Sequence, residues 1–451
     1  MTRVLIPNGA IGLGFDEAAL WRGVDMSPDV ICVDGGSTDS GPHYLGTGTS
    51  KYSRASTMAE WRILMQARAK AGVPLIVGTA GTCGTDNTVD WMYQITCDLA
   101  VEMGQSVKIA RLYSSQNAGT ITNALDQITP LWPTLPISPE ILTGCTNIVA
   151  LAGAEQITAA LQSGADIIIA GRTTDTATIA ALPLMNGDHA GGAWHGAKIG
   201  ECGALCSTNP TSGVIIIDFD ATGFTVQPMA IGAICTPQSV AAHMLYENSD
   251  PNILYEPGGH LDVTGAKYQQ LDGRCVRVTG SKWVPLGRYT VKLEGARLAG
   301  YQSCSLVLLR ERHYVENAPE WVNRLTAYLT GEIKSRMGLG ASDYTLEFRL
   351  IGQNATLGAL ETNTTTPAEI GVLAIITAPE QASANEIAKL CNPFLLHYPL
   401  SDEEPQATFA FPFSPAEWDK GPVHEFCLNH ILTLSDPMDA FRLQTDEVKH
   451  G

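Results

Sequence analysis

What the chain has little of narrows its class first. Lys and Arg number 28 of 451 residues against 46 Asp and Glu, a formal charge of -18. Nucleic-acid affinity comes from clustered Lys and Arg that neutralise phosphates, so no nucleic-acid partner is expected. The deficit leaves room for a small anionic substrate, because a local pocket can be positive on an acidic protein. No run of about 18 apolar residues occurs, so no membrane partner or span is expected. The opening MTRVLIPNGAIGLGF meets glycine too early to form the apolar stretch of a signal peptide. Eleven cysteines is an odd number, none form C-x-x-C, and Cys32 and Cys304 sit in apolar runs where cysteine packs as a small hydrophobe. A reducing, cytoplasmic setting is the expectation. Neither G-x-x-x-x-G-K-[ST], nor G-x-S-x-G, nor H-E-x-x-H is present, so P-loop transfer, elbow-serine hydrolysis and zincin chemistry lack their signatures.

What is there is a repeated theme of short apolar runs alternating with helical periodicity. The runs are VLIP (4–7), VICV (30–33), PLIVG (74–78), VKIARL (107–112), NIVALAG (147–153) and ADIIIAG (165–171). Continuous apolar strands between amphipathic helices predict a doubly wound, mostly parallel α/β sheet covered on both faces. After about residue 212 the pattern changes to paired strands such as GVIIIDF and GFTVQPM, then mixed strands and helices. The expected organisation is an α/β domain over 1–212 carrying the Gly-rich loops, and an α+β domain over 213–451 completing a cleft. The Pro-rich, acidic tail after 400 is expected to wrap the surface.

Ligands of parallel sheets bind where strands end at their carboxyl side. Three Gly-rich loops follow predicted strands there: DGGSTDSG (34–41), GTAGTCGTDN (78–87) and GRTTDTAT (171–178). Each combines glycine, hydroxyl residues and an acid, Asp39, Asp86 or Asp175. Glycines admit close backbone approach, and following helix N-termini face an anion. Asp86 and Asp175 could equally be helix caps. Candidate binding groups are Gly35, Gly36, Ser37, Gly84, Thr85, Asp86 and Thr173, with Arg172 to hold a carboxylate or phosphate. Arg172 could instead pair with Asp175 or Asp34. His43 in GPHY is a candidate acid or base that could equally be a surface histidine.

HAGGAWHGAKIGECGALCSTNP (189–210) adds Glu201, a carboxylate between small residues that burial could raise toward neutrality. His195, Glu201 and Cys202 match no zinc spacing, and Cys202 and Cys206 are expected to pack in the core. Glu256 in YEPGGHLD (255–262) belongs either to a second cleft wall or to an ordinary hairpin. GAIGLG (9–14) after the first strand invites a dinucleotide reading, but its glycines fall as G-x-x-G-x-G.

At DGGSTDSGPHYLG, AGRTTDTATIAALPLM, WHGAKIGECGA, EPGGHLDVTGAKY and VRVTGSKWVP the sequence resembles the acyclic terpene utilisation (AtuA-like) family, from the first strand to beyond residue 310. The resemblance implies a catabolic enzyme acting on carboxylates or their acyl-CoA thioesters, without an agreed reaction. Some relatives carry a ferredoxin-like C-terminal segment, which this chain is expected to lack or to receive from another subunit.

The resulting expectation is a lyase (hydratase) or double-bond isomerase using Asp34, Asp39, Asp175 and Glu201 as acid/base groups on a small anionic substrate. No cofactor is certain; a divalent cation such as Mg at Asp34 or Asp39 is compatible with oxygen ligands. The rivals are an NAD(P)-dependent oxidoreductase and a non-catalytic ligand-binding or scaffold subunit. A homo-oligomer is expected because most soluble assemblies are.

Overall fold

The computed structural model describes residues 1–131, 134 and 136–449. The chain divides into two compact units, residues 1–297 with 426–451, and residues 298–425.

The first unit is built on a ten-stranded sheet. Its centre is parallel: Thr2–Ile6, Val30–Asp34, Leu75–Gly78, Ile167–Ala170 and Val107–Tyr113 lie in that order. Val30–Asp34, Leu75–Gly78 and Ile167–Ala170 are buried at every position, as strands sandwiched between helices must be. Successive residues serve opposite cores: Val4 and Ile6 enter one apolar cluster, and Leu5 enters the other. Truncating such a residue, Ile168 for example, would cost about 2–5 kcal/mol.

The helices start and stop where local chemistry says they should. In Arg54–Ala71 the Ser53 side chain caps the N-terminus by accepting from Ser56 N–H, and Gly72 ends it at φ 68°. The segment Ala190–Gly200 is a helix buried at every position after Ala190. A Cβ on Gly196 would come within 2.4 Å of Phe219, so glycine is what lets this helix lie against the sheet.

The change of character after residue 212 is a change from parallel to antiparallel pairing within the same sheet. Ile215–Asp220 pairs with Thr2–Ile6, Gly223–Pro228 with Ile215–Asp220, and Val276–Thr279 with Gly223–Pro228. The compact division therefore falls elsewhere than at 212/213, because these strands share the core of the first. Two other expectations are corrected. Asn147–Ala150 stands outside the parallel sheet and pairs antiparallel with Leu293–Ala296; the place beside Ile167–Ala170 is already filled by Val107–Tyr113. The tail is not a surface wrap. It forms Glu417–Leu434, whose last residues alternate inward, and Arg442–Val448, which pairs with Val107–Tyr113.

In the second unit, Thr345–Ile351, Ile370–Ala378 and the stretch 301–309 form an antiparallel sheet. Helices Ala318–Met337 and Gln381–His397 bury Trp321, Leu325, Leu329, Ile387 and Leu395 in its core. Among the described residues no helix is long and apolar enough to cross a membrane.

Candidate functional site

Val30–Asp34, Leu75–Gly78 and Ile167–Ala170 are neighbouring parallel strands, so the loops that follow them leave the sheet at one edge. Backbone bonds lace those loops together. Gly35 N–H donates to Gly78 O at 2.7 Å, Thr82 N–H to Gly35 O at 3.0 Å, and Arg172 N–H to Gly84 O at 3.0 Å. Gly84 sits at φ +63°, and a Cβ there would lie 2.1 Å from the Arg172 nitrogen. Only glycine permits that crossing of loops.

The result is a cleft of about 520 Å³ lined by Asp34, Asp39, Asp175 and Glu201, together with Gly36 and Ser37. All four expected acid/base carboxyls therefore face one hollow. Asp34 is 7% exposed and accepts from Gly35 N–H at 2.8 Å. Burial, then the charge of Asp175, pushes its carboxyl well above the usual range, against the pull of Arg172. Desolvation also raises Asp175, opposed by Arg172 at 3.8 Å. Burial lifts Glu201 to about 8 although the Lys198 ammonium is paired with it. Asp39 stands exposed at the rim, where it accepts from Ser37 Oγ at 2.9 Å.

Arg172 does not line the cleft, and its expected role as an anion clamp is corrected. Its guanidinium is spent beneath the floor: Nε donates to Glu294 Oε2 at 3.0 Å, Nη2 to Thr38 Oγ1 at 3.0 Å, and Nη1 to Thr79 Oγ1 at 3.3 Å. Burial alone would raise Glu294; Arg172 and Lys292 instead pull it down to about 2. The alternative reading of Arg172 as half of an ion pair fits, with Glu294 as its nearer partner at 3.0 Å and Asp175 as its second. Thr173 and Thr85 are buried with it, Thr173 N–H donating to Thr79 Oγ1 and Thr85 meeting Thr88.

Four more candidates lie elsewhere. Asp86 accepts from Ser115 N–H at 3.0 Å and pairs with Arg442. His43 is exposed on the short helix Pro42–Thr47, edge-on to Tyr44. Gly84 acts through packing. Glu256 ends the first strand of the hairpin Ile253–Glu256/Gly259–Asp262 and accepts from Thr176 Oγ1, beside a separate apolar hollow of about 350 Å³. His195 is a core histidine bonded to Ser281 Oγ at 2.7 Å and Tyr268 at 3.2 Å, and burial lowers it to about 3.

Several cleft residues gave no signal in the sequence. Lys51 is the cation among the described lining residues; its N–H donates to Thr82 Oγ1 and its Nζ to Ser40 Oγ at 3.3 Å. Tyr246 and Glu247 form another part of the wall, joined by Cys202, which is half-buried at the cleft where core packing was expected, while Cys206 is buried as expected. Within the GAIGLG turn, the N–H groups of Gly12 and Gly14 donate to the Glu60 carboxylate at 2.8 and 3.1 Å. The place a pyrophosphate would occupy is thus taken by an internal acid. Among the described residues, one trio offers three metal-ligating atoms close together: Glu201, Cys202 and His243.

Fold and cleft define an α/β protein with a carboxylate-lined hollow at the carboxyl edge of a parallel sheet. A sequence model of the acyclic terpene utilisation family, AtuA, matches residues 48–403, and the chain belongs to that family. No curated protein and no solved structure matches the chain.

Proposed function

We propose that the chain is a catabolic lyase of the hydratase type, or a double-bond isomerase, acting on a small carboxylate or its acyl-CoA thioester. The observation that carries this reading is the convergence of Asp34, Asp39, Asp175 and Glu201 on one cleft. Burial and the charge of Asp175 raise Asp34, which suits it to act as the acid, with Asp175 as the base. The base removes the proton on the carbon next to the carbonyl. The acid protonates the departing hydroxyl, which leaves as water, or the far carbon when the double bond migrates. Lys51, the cation of the described lining residues, would hold the anionic end.

The test is solvent exchange. Purified protein in D2O with short enoyl and 3-hydroxyacyl thioesters should place deuterium on the carbon next to the carbonyl. Asp34→Asn and Asp175→Asn should each slow exchange by about 10²–10⁴-fold with circular dichroism unchanged. Thioester binding without any exchange would instead favour the ligand-binding subunit. The oxidoreductase reading has Glu60 against it, and NADH fluorescence unchanged at millimolar cofactor would remove it.

A further inference from the structure

We infer that Glu201, Cys202 and His243 form a binding site for a zinc-class divalent ion that opens into the cleft. One donor atom from each lies within 4.8 Å of the other two, so small side-chain adjustments bring a nitrogen, a sulfur and an oxygen onto one ion. That donor set suits zinc or cobalt and does not suit magnesium or calcium. His243 supplies the independent sign. It is 6% exposed, and its Nε2 has no hydrogen-bond partner although it is shielded from solvent. A buried imidazole nitrogen without a partner is costly, and an ion removes that cost. Its ring is fixed by stacking on Tyr246 with centroids 5.4 Å apart.

The surrounding charge decides which ion can enter. Lys198 pairs with Glu201 Oε1 and donates to Tyr246 O at 2.8 Å, and its ammonium opposes a dication. The ion must therefore displace the thiol proton of Cys202, so that thiolate and carboxylate together offset its charge. Asp175 and Glu247, which face Cys202, add to the negative surroundings. Glu201 and Cys202 line the cleft, so a fourth position on the ion faces the substrate space, the arrangement of three protein ligands and one open site. The site stands independently of the reaction proposed above, because its test reads metal binding.

The experiment uses the full chain after treatment with a chelator, titrated calorimetrically with Zn²⁺ and separately with Co²⁺. One equivalent of Zn²⁺ should bind. Co²⁺ should give the near-ultraviolet absorption of a thiolate-to-cobalt transition. Cys202→Ser should lose that band and His243→Ala should lose binding, each with native circular dichroism. If His243→Ala fails to fold, the cobalt spectrum of Cys202→Ser decides. Zn²⁺ heat without the cobalt–thiolate band, or a band that survives Cys202→Ser, overturns the site. So does an absence of binding at millimolar Zn²⁺.

Discussion

At the scale of single residues, the buried charges do different work from what their types suggest. Arg172 looks like an anion clamp in GRTTD, yet its side chain is held by Glu294, Thr38 and Thr79. Arg172→Ala should therefore destabilise the fold by about 3 kcal/mol, because it leaves the buried Glu294 carboxylate with Lys292 and Thr38 as its remaining partners. Urea unfolding checks this; full stability with lost turnover would return Arg172 to the substrate. Glu256 makes the opposite kind of statement. Its carboxyl is faced by the hydroxyls of Thr174 and Thr176 and by the charges of Asp175 and Lys198, and burial, the largest cause, raises it to about 7 from an ordinary 4.5. A raised carboxyl favours the folded state only while protonated, so its contribution is whole below pH 4.5 and is lost as pH rises through about 7. Glu256→Gln should remove that slope and raise stability above pH 7 by on the order of 3 kcal/mol. Parallel pH profiles for the variant and its parent would refute it.

Elements show where local pattern suffices and where it does not. Gly84 and Gly72 both adopt positive φ, +63° and +68°, and both read as turn glycines. Gly72 has nothing within 4 Å of a would-be Cβ, whereas Gly84 would drive one to 2.1 Å from Arg172. Gly72→Ala should cost roughly 1–2 kcal/mol, while Gly84→Ala should cost clearly more and disturb the cleft loops. Equal thermal midpoints for the two variants would contradict the loop crossing. The parallel strands were legible because Ile167–Ala170 and its neighbours are apolar throughout, the mark of burial on both faces. Asn147–Ala150 has the same composition and was misplaced, since composition says that a strand is buried but not which strand it lies beside. Four acids of the site were legible because each sits in a loop after, or a helix end beside, such a strand. Lys51 and His243 were not: neither lies in a Gly-rich loop or at a strand end, and only folding brings them near.

For the molecule as a whole, two compact units with separate apolar cores predict unfolding that is not a single step. Scanning calorimetry should give a van't Hoff enthalpy below the calorimetric one. Equal values would mean that the two units melt as one. The -18 charge and isoelectric point near 4.9 keep the surface acidic at neutral pH, and the loss of net charge near pH 5 favours association.

By itself, the sequence determined the fold class, the sheet edge on which polar loops gather, and the four carboxyls to watch. Period and composition are local properties, and they report burial and turn chemistry wherever a segment lies. Only the tertiary structure decided that Arg172 serves Glu294, that Glu60 occupies the glycine turn, and that His243 meets Glu201 and Cys202. Those pairings join residues far apart in the chain. Their partners are chosen by which strands and helices pack together, a choice that no local window of sequence contains.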